Sequence, residues 1–328
     1  GETIETIYWG GGTPSQLDKE DFETIFYYLH KNYSISSHPE ITLEANPDDL
    51  TPDYIAMLRT LPFNRLSMGI QTFNESILKV LQRRHTARQA IEAFQNCRAA
   101  GFQNISIDLM YGLPGETLST WQQDLDQALL LHPEHLSAYH LIYEEDTVLW
   151  KLREQHKVEE ADEDLSVSLF STLIDRLTSE GYDHYEISNF SLPGLYSRHN
   201  SSYWTEKKYL GCGPSAHSYN GVSRQWNVAS LDTYIKGISA GTPVFEIEEL
   251  DLYTRYNDFV ITRIRTEWGM PLSKLRDEFG EKLYDYCLRM AAPHLKQGTL
   301  ELVNDILKLT RKGIFISDGI MSDMLWTD

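Results

Sequence analysis

Two hydrophobic periods alternate along the first 143 residues. Short runs of apolar and β-branched residues, which are typical of buried strands, occur at residues 4–9, 41–45, 65–71, 104–110 and 135–143. Between them, apolar residues recur every three or four positions, which predicts helices over residues 18–32, 51–61, 76–81, 86–100 and 117–131. This order of strands and helices predicts a parallel sheet with crossover helices, either a doubly wound sheet or part of a barrel.

Glycine or polar residues stand where each predicted strand ends: Gly10–Gly12, Glu44, Gln71, Asp108 and the pair Glu144–Glu145. One such residue alone is best explained as a helix cap or a strand-end hydrogen bond. Five at equivalent places favour a ligand site, because parallel strands present their carboxyl ends on one face of the fold. Glycine allows a backbone to approach a ligand closely. The lack of a G-x-G-x-x-G fingerprint after the first strand argues against a dinucleotide.

The second half of the chain is less regular. It predicts a long helix over residues 160–180, a strand over 182–187 and an irregular aromatic stretch over 199–217. Two helices (251–265 and 281–292, the second stopping at Pro293), two short β-like pieces (299–303 and 307–310) and a last helix then indicate a small winged-helix-like unit. We expect two domains, residues 1–245 and 246–328. Acidic residues outnumber basic ones in the second, which argues against DNA binding.

Composition narrows the class of partner. The 328 residues include 29 basic and 48 acidic side chains, a net charge of −19, which argues against nucleic acid or an anionic membrane. No apolar run approaches the roughly 20 residues that a membrane span requires. The three cysteines are far apart and form no C-x-x-C pair, which argues against a disulfide framework and predicts a reducing, cytoplasmic setting. Because Gly1 opens almost directly into a strand, without an initiator Met, we expect a missing amino-terminal piece.

Five strings in the first half carry a resemblance to a known family: GGGTP at residues 10–14, EANP at 44–47, NRLSMGIQTF at 64–73, RRH at 83–85 and DLMYGLP at 108–114. In this order they resemble the radical S-adenosylmethionine (SAM) family of oxygen-independent coproporphyrinogen III oxidase and its relative, the HemW haem chaperone. The resemblance spans essentially the whole chain. It implies an α/β fold, a partial (β/α)₆ barrel lacking its first strand, with a small winged-helix-like α+β domain at the carboxyl end.

The resemblance implies a SAM pocket, residue by residue. Gly11, Gly12 and Thr13 match the glycine motif that contacts the methionine part of SAM, and Glu44 matches a carboxylate of the pocket. Gln71 and Asp108 match ribose-binding positions, and Arg83 matches the residue that pairs with the SAM carboxylate. Ile142 falls where the family has a residue beside the cofactor. The residue types suit these roles, because arginine binds carboxylates in a bidentate manner and Asp and Gln can hydrogen-bond vicinal hydroxyls. The strand-end pattern had singled out Gly11, Glu44, Gln71 and Asp108, but not Arg83.

The string HNSSYW at residues 199–204 looks like the H-N-x-x-Y-W motif of the HemW branch, which binds haem and passes it to acceptor proteins. Imidazole is a standard axial ligand of haem iron. The resemblance therefore implies that His199 ligates haem, with Tyr203 and Trp204 supporting it. The alternative is a structural histidine in an ordered loop.

One departure from the family is large. Radical SAM chemistry uses a C-x-x-x-C-x-x-C triad that holds a four-iron four-sulfur cluster, and this sequence contains no such triad. The family places it just before the glycine motif, so we expect the cluster cysteines upstream of Gly1, the cluster in the full-length protein only, and weak SAM binding without it. A natural cluster-free homologue is the alternative.

Three functions follow from the resemblance. The first is a HemW-like haem chaperone, with haem or a porphyrin as ligand and haem-acceptor proteins as partners. The second is a coproporphyrinogen III oxidase, an oxidoreductase of haem biosynthesis that decarboxylates two propionates through a deoxyadenosyl radical. The third is a protein that holds haem without using SAM. Whether the chain is an enzyme stays open at this point.

Overall fold

The computed structural model describes residues 2–327. Its largest sheet has seven strands in the order β1-β2-β3-β4-β5-β7-β6. These strands are β1 (Thr3–Trp9), β2 (Ser34–Ala45), β3 (Arg65–Gln71), β4 (Ile105–Tyr111), β5 (His135–His140), β6 (Asp183–Glu186) and β7 (Asn189–Ser191). β1 to β5 pair in parallel with their sequence neighbours, whereas β7 pairs antiparallel to β5. The predicted parallel sheet is therefore confirmed.

The crossover helices begin where the sequence supplies caps. They are α1 (Lys19–Asn32), α2 (Pro52–Leu58), α3 (Glu75–Val80), α4 (Ala87–Ala99) and α5 (Leu118–Leu131), followed by α6 (Val148–Glu154) and α7 (Glu163–Ser179). The Asp18 side chain accepts from the backbone N–H of Asp21 at the start of α1. Thr51 caps α2, with Pro52 at the first helical position. The pattern did not predict α6, a short helix with no fully buried residue.

The two faces of the strands differ in chemistry. On β3, Leu66, Met68 and Ile70 are fully buried apolar residues, and they alternate with Arg65, Ser67 and Gly69. Because successive strand residues point to opposite sides of a sheet, the second set lies on one face together. It is the face that carries the candidate site.

The chain divides into two compact units. The first contains residues up to 184 and 188–199, and the second contains 185–187 and the residues from 200 onward. Helix α8 (Arg198–Trp204) crosses this division, so His199 belongs to the first unit and Tyr203 to the second. Residues 199–204 were expected to be irregular, so this part of the prediction was wrong.

The second unit contains two three-stranded sheets and several helices. They are β8 (His217–Tyr219), β9 (Ser223–Asn227), α9 (Leu231–Ser239), β10 (Phe245–Glu249), α10 (Leu252–Ile264), β11 (Met270–Pro271), α11 (Leu272–Gln297), β12 (Leu300–Val303), β13 (Ile306–Leu309), α12 (Arg311–Ile314) and α13 (Ser317–Met324). Pro293 lies inside α11 and does not end it, contrary to expectation. The helix instead kinks at Gly280 (φ +80°) and ends at the left-handed Gly298 (φ +70°).

Tyr256, Phe259, Leu275, Leu283 and Cys287 belong to the apolar core of this unit. The domain boundary at residues 245 and 246 stays a prediction. Among residues 2–327, no helix combines the length and the hydropathy that crossing a bilayer requires.

Candidate functional site

The glycine run and the end of β2 meet at the carboxyl edge of the sheet. The backbone N–H of Gly11 donates to Oε2 of Glu44 at 3.3 Å. The hydroxyl of Tyr8, on β1, donates to Oε1 of the same carboxylate at 2.7 Å. Glu44 is thus held by a backbone N–H and a side-chain hydroxyl. The sequence predicted Gly11 and Glu44 but missed Tyr8, whose place on the polar face of β1 follows from the period of two.

The glycines of this loop have different surroundings. A Cβ on Gly10 would lie 2.6 Å from Cε1 of Tyr8, so that position has no room for a side chain. A Cβ on Gly11 or Gly12 would meet no atom within 4 Å among the described residues, and Gly11 has a φ of +78°. The backbone of Gly11 and Gly12 therefore borders open space. Thr13 follows as an exposed residue whose carbonyl accepts from the N–H of Gln16 at 3.0 Å.

Gln71 and Arg83 stand next to the end of β3. Gln71 has a φ of +73°, which is a strained conformation for a residue with a side chain. Nη2 of Arg83 donates to the carbonyl of Gly69 at 2.5 Å and to Oδ1 of Asn46 at 2.9 Å. Arg83 therefore reaches the ends of both β2 and β3 from the loop after α3. The structure brings it to the predicted site, although the strand-end pattern contained no signal for it.

Asp108 occupies the polar face late in β4. The hydroxyl of Ser67, on β3, donates to its two carboxylate oxygens at 3.3 Å each. Burial raises the pKa of Asp108 to about 6, a hydrogen bond from Ser137 opposes that shift, and the charge of Glu44 adds to it. The same edge thus holds two carboxylates that repel each other electrostatically. A site that receives hydroxyl groups could use both as acceptors.

Ile142 lies apart from these contacts. It follows β5 and is 75% exposed, so its side chain is available to a ligand but is not held by the core. Glu144 and Glu145, in the same segment, are exposed as well. The structure therefore gathers the predicted residues of β1 to β4 at one edge. The role of Ile142 stays a prediction.

His199 lies against the polar face of β1. Its Nδ1 is 2.9 Å from Oγ1 of Thr6, and its ring stacks on the ring of Tyr8 with a centroid distance of 4.7 Å. The carboxylate of Glu40, on β2, accepts from the backbone N–H groups of Arg198 at 3.0 Å and of His199 at 2.8 Å. That carboxylate stabilises the start of α8. Tyr8 thus contacts Glu44 with its hydroxyl and His199 with its ring.

The imidazole of His199 is held in its neutral form. Burial, with a further contribution from the positive charge of Arg65, lowers its pKa from 6.5 to about 4. A neutral imidazole has a lone pair that can bind a metal. The residue therefore fits an axial ligand chemically.

Tyr203 and Trp204 lie in the second unit. The ring of Tyr203 packs edge to face on that of Tyr209 with centroids 4.9 Å apart. The guanidinium of Arg265 lies 4.2 Å from the centroid of Trp204 and also pairs with Glu186 at 3.3 Å. Both rings are therefore held by neighbours of their own unit. Their support for a haem group stays a prediction.

The cysteines do not form a cluster site. Cys97 and Cys287 are buried and Cys212 is exposed, and none is in a disulfide. Burial raises the pKa of Cys97 to about 12 and that of Cys287 to about 11, which disfavours thiolates. Across residues 2–327, no three His, Cys, Asp or Glu side chains lie where they could share a metal ion. These residues therefore do not fit an iron–sulfur cluster, whereas those at the sheet edge fit SAM.

Comparison with known proteins gives matches along the whole chain. The profile of the Radical SAM superfamily matches residues 1–128, and that of the HemN C-terminal domain matches residues 250–316. The Heme chaperone HemW of Lactococcus lactis is 32% identical, over 100% of this chain and 86% of its own. The Heme chaperone HemW of Mycobacterium tuberculosis (strain H37Rv) is 32% identical, over 98% of this chain and 81% of its own. That of Bacillus subtilis is 30% identical, over 98% and 86%.

A solved structure shows the fold. The coproporphyrinogen III oxidase (HemN) from Escherichia coli superposes with a TM-score of 0.84 over 98% of this chain and 78% of its own, at 23% sequence identity. The predicted radical SAM partial barrel with its small carboxyl-terminal domain is thereby confirmed. Identity of 30% or more to three HemW chaperones over nearly the whole chain is family-level similarity. The chain therefore belongs to the HemW family of radical SAM proteins.

Proposed function

We propose that this protein is a haem chaperone, which binds SAM at the carboxyl ends of β1 to β4 and haem at His199. Membership of the radical SAM superfamily implies SAM and a four-iron four-sulfur cluster as cofactors. The observation that carries the proposal is the position of Tyr8. Its hydroxyl bonds Glu44 of the predicted SAM pocket, and its ring stacks on His199. One side chain thus connects the two predicted sites within the first unit.

Five residues at the sheet edge have a role in the SAM proposal. Gly11 and Gly12 offer their open backbone to the methionine part, and Asp108 with Gln71 accept from the ribose hydroxyls. Arg83 has five N–H donors, of which those on Nη2 already fix its position, so its remaining donors can bind a carboxylate. When bound beside a reduced cluster, SAM supplies one-electron chemistry. The residues described above bind and orient it.

The haem proposal depends on the state of His199. Its imidazole stays neutral at physiological pH because its pKa is about 4. The contact with Thr6 orients the ring in the way that outer partners of metal-bound histidines do. The HemW relatives are chaperones of haem by name, which supports the same ligand here. We also propose that haem passes to acceptor proteins, and that the protein works in the cytoplasm, where unpaired cysteines stay reduced.

A haem titration tests this proposal. Wild type and a His199→Ala variant are titrated with haem, and the Soret band and the Kd are recorded. We expect His199→Ala to shift the Soret band and to weaken binding by at least about tenfold, since losing even an outer partner of a metal-bound histidine costs that much. His30→Ala is the matched control, since His30 is an exposed histidine whose Nδ1 contacts the carbonyl of Phe26. An unchanged Soret band and Kd in His199→Ala would contradict the ligand assignment.

The oxidase is the second candidate, favoured by the fold shared with HemN. An anaerobic assay of the protein with a reconstituted cluster, SAM and coproporphyrinogen III separates the two candidates. For a chaperone we expect haem binding without decarboxylation of the substrate. Formation of protoporphyrinogen together with deoxyadenosine would favour the oxidase. Haem binding that does not respond to SAM at all would favour a plain haem-binding protein.

A further inference from the structure

Arg65 is a buried cation without a partner. It begins β3 and is 1% exposed. Its Nε has no hydrogen-bond partner, and its guanidinium forms no hydrogen bond or ion pair in the part of the chain that the structure describes. No Asp or Glu oxygen of residues 2–327 therefore comes within 4.0 Å of its nitrogens. An arginine stays charged in proteins, and a buried charge is costly unless it is paired.

The neighbouring residue on β2 is also buried and lacks a hydrogen-bond partner for its side chain among the described residues. Thr42 is the register partner of Arg65, it is fully buried, and its Oγ1 has no hydrogen-bond partner among the described residues. A cation with five N–H donors and a hydroxyl thus lie side by side on adjacent strands. Buried polar groups are normally satisfied, so an unsatisfied pair is evidence for a ligand group or bound water. The donors of Arg65 specify an anion.

By strand register, Arg65 lies nearer to Tyr8, on which His199 stacks, than to Gln71. Tyr8, Thr42 and Arg65 occupy successive partner positions on β1, β2 and β3. Strands lie about 4.8 Å apart, which puts Arg65 roughly 10 Å from Tyr8, on which His199 stacks. Gln71, at the other end of β3, is six residues away, or about 20 Å. Burial and then the charge of Arg65 lower the pKa values of His199 and His135, and the same charge acts on Tyr8 and on Asp108.

We propose that Arg65, with Thr42, is an anion subsite that receives a carboxylate of the ligand bound at His199. The inference rests on the proposed function, because haem is the ligand proposed for His199. Haem carries two propionate carboxylates at the edge of its ring. A guanidinium binds a carboxylate with two parallel hydrogen bonds, and the Thr42 hydroxyl can donate a third. The carboxylate of SAM has the same chemistry, but Arg83 already stands at the SAM end of the strands.

Two haem forms test the subsite. Wild type and Arg65→Gln are titrated with haem and with haem dimethyl ester, in which both carboxylates are blocked. We expect wild type to bind haem at least about tenfold more tightly than the ester, and Arg65→Gln to bind both equally. Arg65→Lys keeps the charge but not the paired N–H donors of the guanidinium, and it should retain part of the preference for haem. A preference that survives in Arg65→Gln would overturn the inference.

Thermal unfolding without ligand gives an independent reading. Because Arg65 is unpaired, Arg65→Gln should raise Tm. The matched control is Arg98→Gln, since the guanidinium of Arg98 pairs with Glu134 at 2.9 Å, and its loss should lower Tm. A fall in Tm for Arg65→Gln as large as that for Arg98→Gln would mean that Arg65 has a structural partner, which overturns the subsite.

The outcomes also separate this inference from the proposed function. Wild type that binds neither haem form would remove the haem proposal itself, and the subsite with it. Equal binding of both forms by wild type, with a Soret band that still depends on His199, would overturn the subsite alone. A third titration compares SAM with decarboxylated SAM. If Arg65→Gln abolishes a preference for SAM in this pair, the carboxylate belongs to SAM and the assignment to haem is wrong.

Discussion

The hydroxyl of Tyr8 donates a 2.7 Å hydrogen bond to Glu44, and this bond joins β1 to β2 beside the glycine run. Burial raises the pKa of Tyr8 above its ordinary value, and the charge of Glu44 raises it further, so the phenol stays protonated and remains a donor. The same carboxylate accepts from the N–H of Gly11. The shape of the glycine loop therefore depends on a side-chain contact 36 residues apart in sequence.

Gly10 and Gly12 should respond differently to alanine. A Cβ on Gly10 collides with Tyr8 and with Cδ of Glu44 at 2.7 Å, so Gly10→Ala should lower the free energy of unfolding by about 1–3 kcal/mol. Gly12→Ala is the matched control, because its Cβ enters open space and its φ lies outside the left-handed region. Denaturant unfolding measures both. Equal stability of the two variants would show that the Tyr8–Glu44 contact is not rigid.

The Gly10→Ala and Gly12→Ala variants also distinguish an effect on stability from an effect on SAM binding. Gly12→Ala should keep the stability of wild type but weaken SAM binding, because the added methyl enters the open space that we propose for the methionine part. Ligand-observed NMR with SAM measures this without any need for turnover. Unaltered SAM binding in Gly12→Ala would place the cofactor elsewhere.

Thr6 should influence haem through His199. Thr6→Val removes the contact with Nδ1 while keeping the shape of the side chain, so the ring loses its orientation. We expect the haem affinity to fall by about tenfold, the lower end of the range for outer partners of metal-bound histidines. Thr3→Val is the control, since Thr3 lies on the same strand but is exposed. Equal Kd values for both variants would separate Thr6 from haem binding.

His199 should make the protein less stable in acid. Its folded pKa of about 4 lies below the unfolded value of 6.5, so the unfolded state binds the proton more readily. The stability contributed by neutral His199 is present above pH 6.5 and is lost as the pH falls through about 4, by about 3 kcal/mol in all. His199→Asn should show a shallower loss over this window in denaturant titrations. Parallel curves for the two proteins would contradict the low pKa.

The sequence predicted the elements of the first unit because their periodicity is clear. β3 spans Arg65–Gln71, the predicted residues, and α1 begins after the Asp18 cap. Where the structure differs from the prediction, a contact between residues distant in sequence determines the local structure. The HNSSYW segment has no helical apolar period, yet α8 forms there because the carboxylate of Glu40, 158 residues away, accepts from the N–H of Arg198. No local pattern contains that information.

Sequence patterns also predicted only part of the candidate site. Glu44, Gln71 and Asp108 could be predicted, because residues at strand ends are positioned by the sheet itself. Arg83 could not, since it lies in a loop and reaches Gly69 only through the length of its side chain. The sequence did not predict a role for Arg65, because the charge of a residue does not reveal whether it is buried or paired. Burial and pairing arise only when the strands come together.

Replacing Asp108 should raise the stability of the protein and weaken SAM binding. Its folded pKa of about 6 lies above the ordinary value of 3.8, so the stability it contributes is present below pH 3.8 and is lost as the pH rises through about 6. Asp108→Asn removes this loss and should be more stable than wild type by about 3 kcal/mol above pH 6, but equally stable near pH 3.8. The same variant should bind SAM about tenfold less tightly, because a charged acceptor is lost. Asp126→Asn, at an exposed ion pair with Arg176, should change neither quantity. Thermal unfolding at both pH values would refute the raised pKa if Asp108→Asn gained no stability at the higher one.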